Sequence, residues 1–141
     1  METIQSYYKD RMYNARNSYQ GNFKKVLCVC SAGILRSATT AWILSREPYN
    51  CNTRNCGINE TYALIVLDQI LIEWADHIIF AEKEHYDFAK ENFQLCSMNG
   101  GLKPYTILEI PDNYSYRNPE LVLIIENLLK HHKLDKILTS N

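Results

Sequence analysis

The sequence predicts a three-layer α/β fold, a four-stranded parallel sheet with helices on both faces. Two observations carry this. Short apolar runs alternate four times with stretches of helical periodicity, the pattern of strand–helix–strand crossovers. The first run, Val26-Leu27-Cys28-Val29-Cys30, is wholly apolar, as a parallel strand buried on both faces should be. Crossovers in such sheets are right-handed. Ligands bind at the carboxyl ends of the strands, so the loops after the strands are where chemistry is expected.

The elements follow in order. Residues 1–22 form a polar, Tyr-rich extension closed by the turn signal Gly21-Asn22. A single domain is expected over 23–141. After the first strand and a Gly-containing loop, residues 36–46 read as a helix carrying Ala38, Ala41, Trp42 and Leu44, stopped by Pro48. Residues 49–56 read as a second strand ending at Gly57. Asn59-Glu60-Thr61 opens a second helical stretch, with Leu64, Leu67, Leu71 and Trp74 at helical spacing. His77-Ile78-Ile79-Phe80 is a third buried strand, and 83–93 a third helix with Tyr86, Ala89 and Phe93 on one side. Residues 97–101 form a loop, 105–110 a fourth strand and 111–118 a polar, Tyr-rich loop. Pro119 begins the final helix, where a first-turn proline is favoured. Lys130, His131, His132 and Lys133 lie at its C-terminal end, where cations are favoured.

Composition narrows the function. The chain has 141 residues, 46% hydrophobic and 22% charged, with a net charge of −1. That length suits one core. The near-neutral balance argues against a general nucleic-acid or membrane-surface binder. No apolar run approaches the ~20 residues of a membrane span. The five cysteines, Cys28, Cys30, Cys51, Cys56 and Cys96, are an odd count. Without a secretory signal at the polar N-terminus they read as free thiols in a reducing, cytoplasmic setting. Cys28, Cys30, Cys51 and Cys56 lack the short paired spacing of a zinc knuckle, so no metal is expected.

The chemistry is expected in the loop Cys30-Ser31-Ala32-Gly33-Ile34-Leu35-Arg36-Ser37. Cys-x5-Arg-Ser here joins a buried strand to a helix. Five intervening residues wrap into a cup of inward-pointing backbone N–H groups, an anion-binding nest, on the positive end of a helix. The amides of Ser31 through Leu35 and the guanidinium of Arg36 would hold an oxyanion, Arg36 by a two-pronged grip. Gly33 permits a backbone turn that a Cβ resists. Cys30 lies at the floor, where the same field favours a thiolate, and Ser37 can donate to its sulfur. Cys-x5-Arg alone is a weak signal, and Cys30 and Arg36 could be ordinary strand-end and helix-start residues. The apolar run ending on Cys30 and the helix opening at Arg36 favour the phosphate-loop reading.

In these residues the chain resembles the low-molecular-weight protein tyrosine phosphatases, and more closely a short bacterial and phage subfamily of predicted protein tyrosine phosphatases. The matching segments are VLCVCSAGILRSATTAWIL, NTRNCG, LIEWADHIIFAEKEH and LEIPDNYSYRNPELV, and the similarity spans about residues 24–130. The resemblance implies strand order 2-1-3-4 and a cysteinyl-phosphate mechanism without metal or cofactor. Cys30 would be the nucleophile, Arg36 the phosphate clamp and Ser37 the thiolate partner. The partner would be a phosphorylated protein or small phosphomonoester, with no nucleic acid or membrane. The family pattern usually places Asn inside the loop and often a second Cys just before the Arg. Here those positions hold Ile34 and Leu35.

A leaving oxygen departs more easily when a carboxylic acid protonates it. Asp112, after the fourth strand, lies at the correct sheet edge and matches the family's late Asp-x-Tyr segment. It could also be a plain turn residue. Tyr114 would wall the substrate ring, with Tyr116 a lesser candidate. Glu82 and Glu84 follow strand three and read as helix caps. Asp76 reads as a structural cap. His85 could pair with the thiol, although the loop already activates it. Arg54 and Cys56 could line the pocket rim, and Cys28 or Cys56 could bridge to Cys30 under oxidation. Two alternatives stand beside a tyrosine phosphatase: a thiol-dependent arsenate reductase, which needs resolving cysteines, and a non-catalytic phosphate-binding module.

Overall fold

A computed structural model describes residues 23–96 and 100–139. The order is β1 (Lys25–Cys30), α1 (Arg36–Leu44), β2 (Asn52–Gly57), α2 (Gln69–Trp74), β3 (His77–Phe80), α3 (Lys83–Asn92), β4 (Tyr105–Ile107), α4 (Pro119–His131) and α5 (Leu134–Ile137). The four strands form one sheet in the order β2-β1-β3-β4, with every pair parallel. This is the expected architecture. The expectations for residues 1–22 and for the loop at 97–99 lie outside the described residues.

The apolar run of β1 divides its side chains between two cores, because successive residues of a strand face opposite ways. Val26, Cys28 and Cys30 join α1 and α4 through Ala41, Leu44, Leu121, Ile125 and Leu129. Leu27 and Val29 face α2 and α3 through Leu71, Ile72 and Ala89. The sheet is therefore the middle of three layers, and its central strands are sealed on both sides. Pro119 opens α4, and Asn118 Oδ1 accepts the Glu120 N–H at 2.9 Å.

Three expectations need correction. The second helix does not start near residue 59. Gly57 pairs with Val66 in a further parallel bridge: its N–H donates to Ile65 O at 3.0 Å, and its carbonyl accepts from Leu67 N–H at 2.9 Å. Residues 59–66 are thereby drawn into a loop, turned at its start by Asn59 Oδ1 accepting the Thr61 N–H at 2.9 Å. The helix starts only at Gln69, where Asp68 Oδ1 accepts the Leu71 N–H at 2.8 Å. The second strand starts at Asn52, not 49, because the amides of Tyr49 and Asn50 close a turn onto Arg46 O and Asn50 has φ +50°. The fourth strand stops at Ile107, since Glu109 has φ +59°. Leu108 and Ile110 still donate to Phe80 O and Ala81 O, so the chain follows β3 to the sheet edge. Lys133, at φ +60°, turns the chain into α5, a segment the periodicity does not suggest.

Leu27 is fully buried in the sheet's centre. Leu27→Ala removes its methyl groups and leaves a hole, costing about 2–5 kcal/mol. Urea unfolding should show a lower midpoint with an unchanged slope. A shift below about 0.5 kcal/mol would mean that this core relaxes around the loss.

Candidate active site

The expected loop lies at the carboxyl end of β1. Cys30 is buried, and two groups converge on its sulfur: the Gly33 N–H at 3.1 Å and the Ser37 hydroxyl at 3.1 Å. Both can donate to a thiolate. The loop lies flat on the end of β2. Gly33 has φ +72°, and a Cβ there would stand 2.7 Å from the Cys56 carbonyl carbon. A Cβ on Gly57 would stand 2.5 Å from Ser31 O. The two glycines therefore set how closely loop and strand approach. Gly57 has a place in the site that the sequence reading missed, although a glycine ending a strand beside a phosphate loop is a readable signal.

Three hydrogen bonds brace the loop from outside. Asn55 Nδ2 on β2 donates to Gly33 O at 2.6 Å, and the Asn59 N–H donates to Ser31 O at 2.9 Å. His85, on the first turn of α3, reaches Ser31 Oγ at 3.0 Å through Nε2. Its Nδ1 accepts the Glu82 N–H at 3.0 Å. A neutral ring with its proton on Nε2 satisfies both contacts. His85 is fully buried, and burial, assisted by the Arg36 charge, pushes its imidazole down to about 4. The ring thus meets Ser31 of the loop instead of pairing with the Cys30 sulfur. Neither Asn55 nor this use of His85 was legible, because both partners are distant in sequence.

Arg36 is 3% exposed. Its Nη1 meets Glu82 Oε1 at 2.9 Å and Ile110 O at 3.2 Å, and its Nε lies 3.4 Å from Asp112 Oδ1. Asp112 is thus brought to the loop from the far side of the sheet. Its carboxylate is 61% exposed, open to solvent at the strand ends. Glu82, expected as a helix cap, also holds the arginine. Ile34 and Leu35 are exposed at the loop's rim. Tyr114 is half-buried against the α1–α4 core, and Tyr116 is exposed.

Other candidates lie elsewhere. Arg54 stacks on Trp74, 3.5 Å from the ring centre, away from the rim position suggested for it. Cys56 belongs to the opposite core from Cys30. Asp76 accepts the Lys25 N–H at 2.9 Å, the expected structural role. All five cysteines are free. Burial raises the Cys28 and Cys56 thiols well above the usual range and pushes Cys51 up to about 12. Glu82, Glu84 and His85 place ligand-type atoms within 4.8 Å of one another. Glu82 and His85 are already engaged by Arg36 and Ser31, so this trio is part of the loop's bracing.

No family model matches the sequence, and no curated protein matches it. Solved structures do match in fold. A Cys-to-Ser variant of the YwlE arginine phosphatase with a phosphorylated active-site serine is 18% identical, with a TM-score of 0.54 over 81% of this chain and 99% of its own. The AmsI tyrosine phosphatase of Erwinia amylovora is 18% identical, with a TM-score of 0.58 over 89% of this chain and all of its own. The YwlE arginine phosphatase from Geobacillus stearothermophilus is 14% identical, with a TM-score of 0.54 over 84% of this chain and 98% of its own. The chain therefore has the fold of these phosphatases, the one its resemblance implied.

The bracing histidine generates a pH prediction. His77 is likewise lowered to about 4, mainly by burial. Both rings stay neutral in the folded protein and take up protons on unfolding near pH 6.5. Protonation therefore favours the unfolded state. Their contribution to stability is present above pH 6.5 and is lost as pH falls toward 4. Urea unfolding across that window should show this decline, with a shallower slope in His85→Gln. An unchanged slope in that variant would mean that His85 is solvated and charged in the fold.

Proposed function

We propose that the chain is a cysteine-dependent phosphomonoesterase, acting on phosphotyrosine in proteins or on small aryl phosphates. The observation that carries this is the convergence on Cys30: the Gly33 amide donates to its sulfur and the Ser37 hydroxyl lies in hydrogen-bond contact with it, beneath a loop closed by the buried Arg36. In this reading a phosphoryl group sits in the loop. Backbone amides and Arg36 hold its equatorial oxygens. The Cys30 thiolate attacks phosphorus in line. The P–O bond breaks as Asp112 gives its proton to the departing oxygen. Asp112, now a carboxylate, takes a proton from water, which attacks phosphorus and releases phosphate and the thiolate.

The exposed apolar rim of Ile34 and Leu35, with Tyr114 as the wall, suits an aromatic ester. The AmsI fold supports the same substrate class. A second reading, phosphoarginine, is favoured by the two YwlE structures. An arsenate reductase is supported less: it needs a resolving thiol, and Cys28, Cys51 and Cys56 are buried and raised by that burial. Thiols buried in apolar surroundings, without the helix N-terminus and arginine that flank Cys30, are inert. A binding module without turnover would leave the Cys30–Asp112 pair without purpose. A cytoplasmic setting fits the free thiols. No helix among the described residues is long and apolar enough to cross a membrane.

Cys30→Ser tests the nucleophile. Turnover of p-nitrophenyl phosphate should fall by about 10³-fold or more, while phosphate binding by calorimetry persists. Near-normal turnover would remove the central assignment. Parallel assays on phosphotyrosine and phosphoarginine peptides decide between the two substrate readings.

Asp112→Asn separates leaving-group chemistry from binding. A phosphotyrosine peptide releases a phenol of pKa about 10 and should lose about 10²–10⁴ in rate. An aryl phosphate with a more acidic phenol should lose less in the burst phase. Equal losses for the two, or none, would make Asp112 a turn residue.

A further inference from the structure

A cavity of about 500 Å³ lies at the other end of α1 from the phosphate loop, between the end of that helix, the turn after it and one face of α4. Trp42, Ile43, Pro48 and Val122 give it apolar walls. Arg46, Glu47, Glu126, Lys130 and Asp135 supply its charges, three carboxylates against two cations. None of these residues belongs to the Cys30 loop, and the proposed reaction uses none of them.

The polar side of this cavity lacks a partner. Tyr49 lines it at 7% exposure, and its hydroxyl makes no hydrogen bond among the described residues. A buried hydroxyl left unpaired is costly, so such groups are normally satisfied. Burial raises the Tyr49 phenol above its usual range, and the negative charges of Asp135 and then Glu126 raise it further. The hydroxyl therefore stays neutral beside two carboxylates. Neither carboxylate meets a cation at ion-pair distance among the described residues. The cations of the lining are placed otherwise. Arg46 stands over the Trp42 ring, 4.6 Å from its centre. Lys130 lies one turn beyond Glu126 on α4 without pairing to it. One phenol and two carboxylates thus await a group with several N–H donors and a positive charge. An ammonium carries three donors on a compact head, and an aliphatic stem behind it suits the Trp42, Ile43 and Val122 walls.

We propose that this cavity binds an alkylammonium group, its head among Tyr49, Glu126 and Asp135 and its stem against Trp42, Ile43 and Val122. The group is carried by a free primary amine or by a lysine side chain of a bound polypeptide. The ammonium donates to both carboxylates and to the Tyr49 oxygen, while the Tyr49 proton turns to a carboxylate. The site is distinct from the Cys30 loop and does not depend on the phosphatase reading.

The experiment titrates pentylamine, with 1-pentanol as its uncharged counterpart, into the full chain and follows the Trp42 indole N–H and the Val122 methyl groups by NMR. The amine shifts should saturate with a millimolar Kd, about what a ligand of so few atoms reaches. Pentanol should bind at least about fivefold more weakly, the scale of one exposed charge pair. Glu126→Gln and Asp135→Asn should each weaken the amine by about two- to fivefold, and added salt should weaken it further. Lys130→Gln should tighten it, because a competing cation is gone. The spectrum of each variant away from the cavity reports that the fold is kept. A lysine amide with an acetylated α-amino group separates the two sources: tighter binding than pentylamine supports a polypeptide lysine, and weaker binding supports a free amine. Shifts that never saturate, equal binding of pentanol, or an affinity unchanged in both carboxylate variants would overturn the site. Tighter binding in Glu126→Gln with weaker binding in Lys130→Gln would overturn it too, since the cavity would then select anions.

Discussion

The buried charge of Arg36 is the constraint on which the rest of the site depends. A guanidinium at 3% exposure cannot remain without partners, since an isolated buried ion costs several kcal/mol even after relaxation. Its compensation comes from segments far apart in sequence. Glu82 reaches it from the end of β3, and the Ile110 carbonyl and Asp112 reach it from beyond β4. One side chain at the start of α1 thereby fixes where the ends of three strands must meet. The Leu108 and Ile110 amides, which donate to Phe80 O and Ala81 O, hold that convergence from the backbone side.

The same arrangement explains why an oxyanion is a fitting occupant. Glu82 and Asp112 already offer two carboxylates to one guanidinium, but they differ in exposure, 33% against 61%. The better-buried Glu82 is suited to orienting the arginine. The more exposed Asp112, at the longer distance of 3.4 Å, gives up less when it turns away from the arginine. On the proposed reading, a phosphoryl group entering the loop would bring negative charge of its own and compete for the arginine with Asp112 before Glu82. Phosphoryl binding and the freeing of Asp112 would then be linked, on that reading, through one cation.

The strands were legible because their signal is local: a five-residue apolar run needs no knowledge of its neighbours. The loop was legible because residue type and spacing carry its chemistry within eight positions. What failed was decided at long range. The stretch from Asn59 to Leu67 has helical spacing, but Gly57 captures its backbone in a parallel bridge with Val66, and tertiary pairing overrides periodicity. Glu109 adopts a left-handed conformation that no residue preference announces. Asn55, His85 and Arg117 are polar residues whose partners lie 22, 54 and 78 positions away. In a sequence they look like any others.

Those distant partners also account for the chain's departure from the pattern it resembles. A loop of this type must hold its amides inward against their mutual repulsion, a task that a polar residue inside the loop can perform by bonding its own backbone. Here that position is Ile34, which is exposed and has no polar atom to contribute. The bonding capacity has moved outward, to Asn55 on the neighbouring strand and His85 on the following helix, which grip Gly33 and Ser31. The contact made by Gly57 completes the cradle, since any Cβ there would push Ser31 away. The loop's shape is therefore imposed by the sheet and not by its own side chains. That leaves Ile34 and Leu35 free of any bracing task, so that apolar residues can stand exposed at the rim without loss of order in the loop.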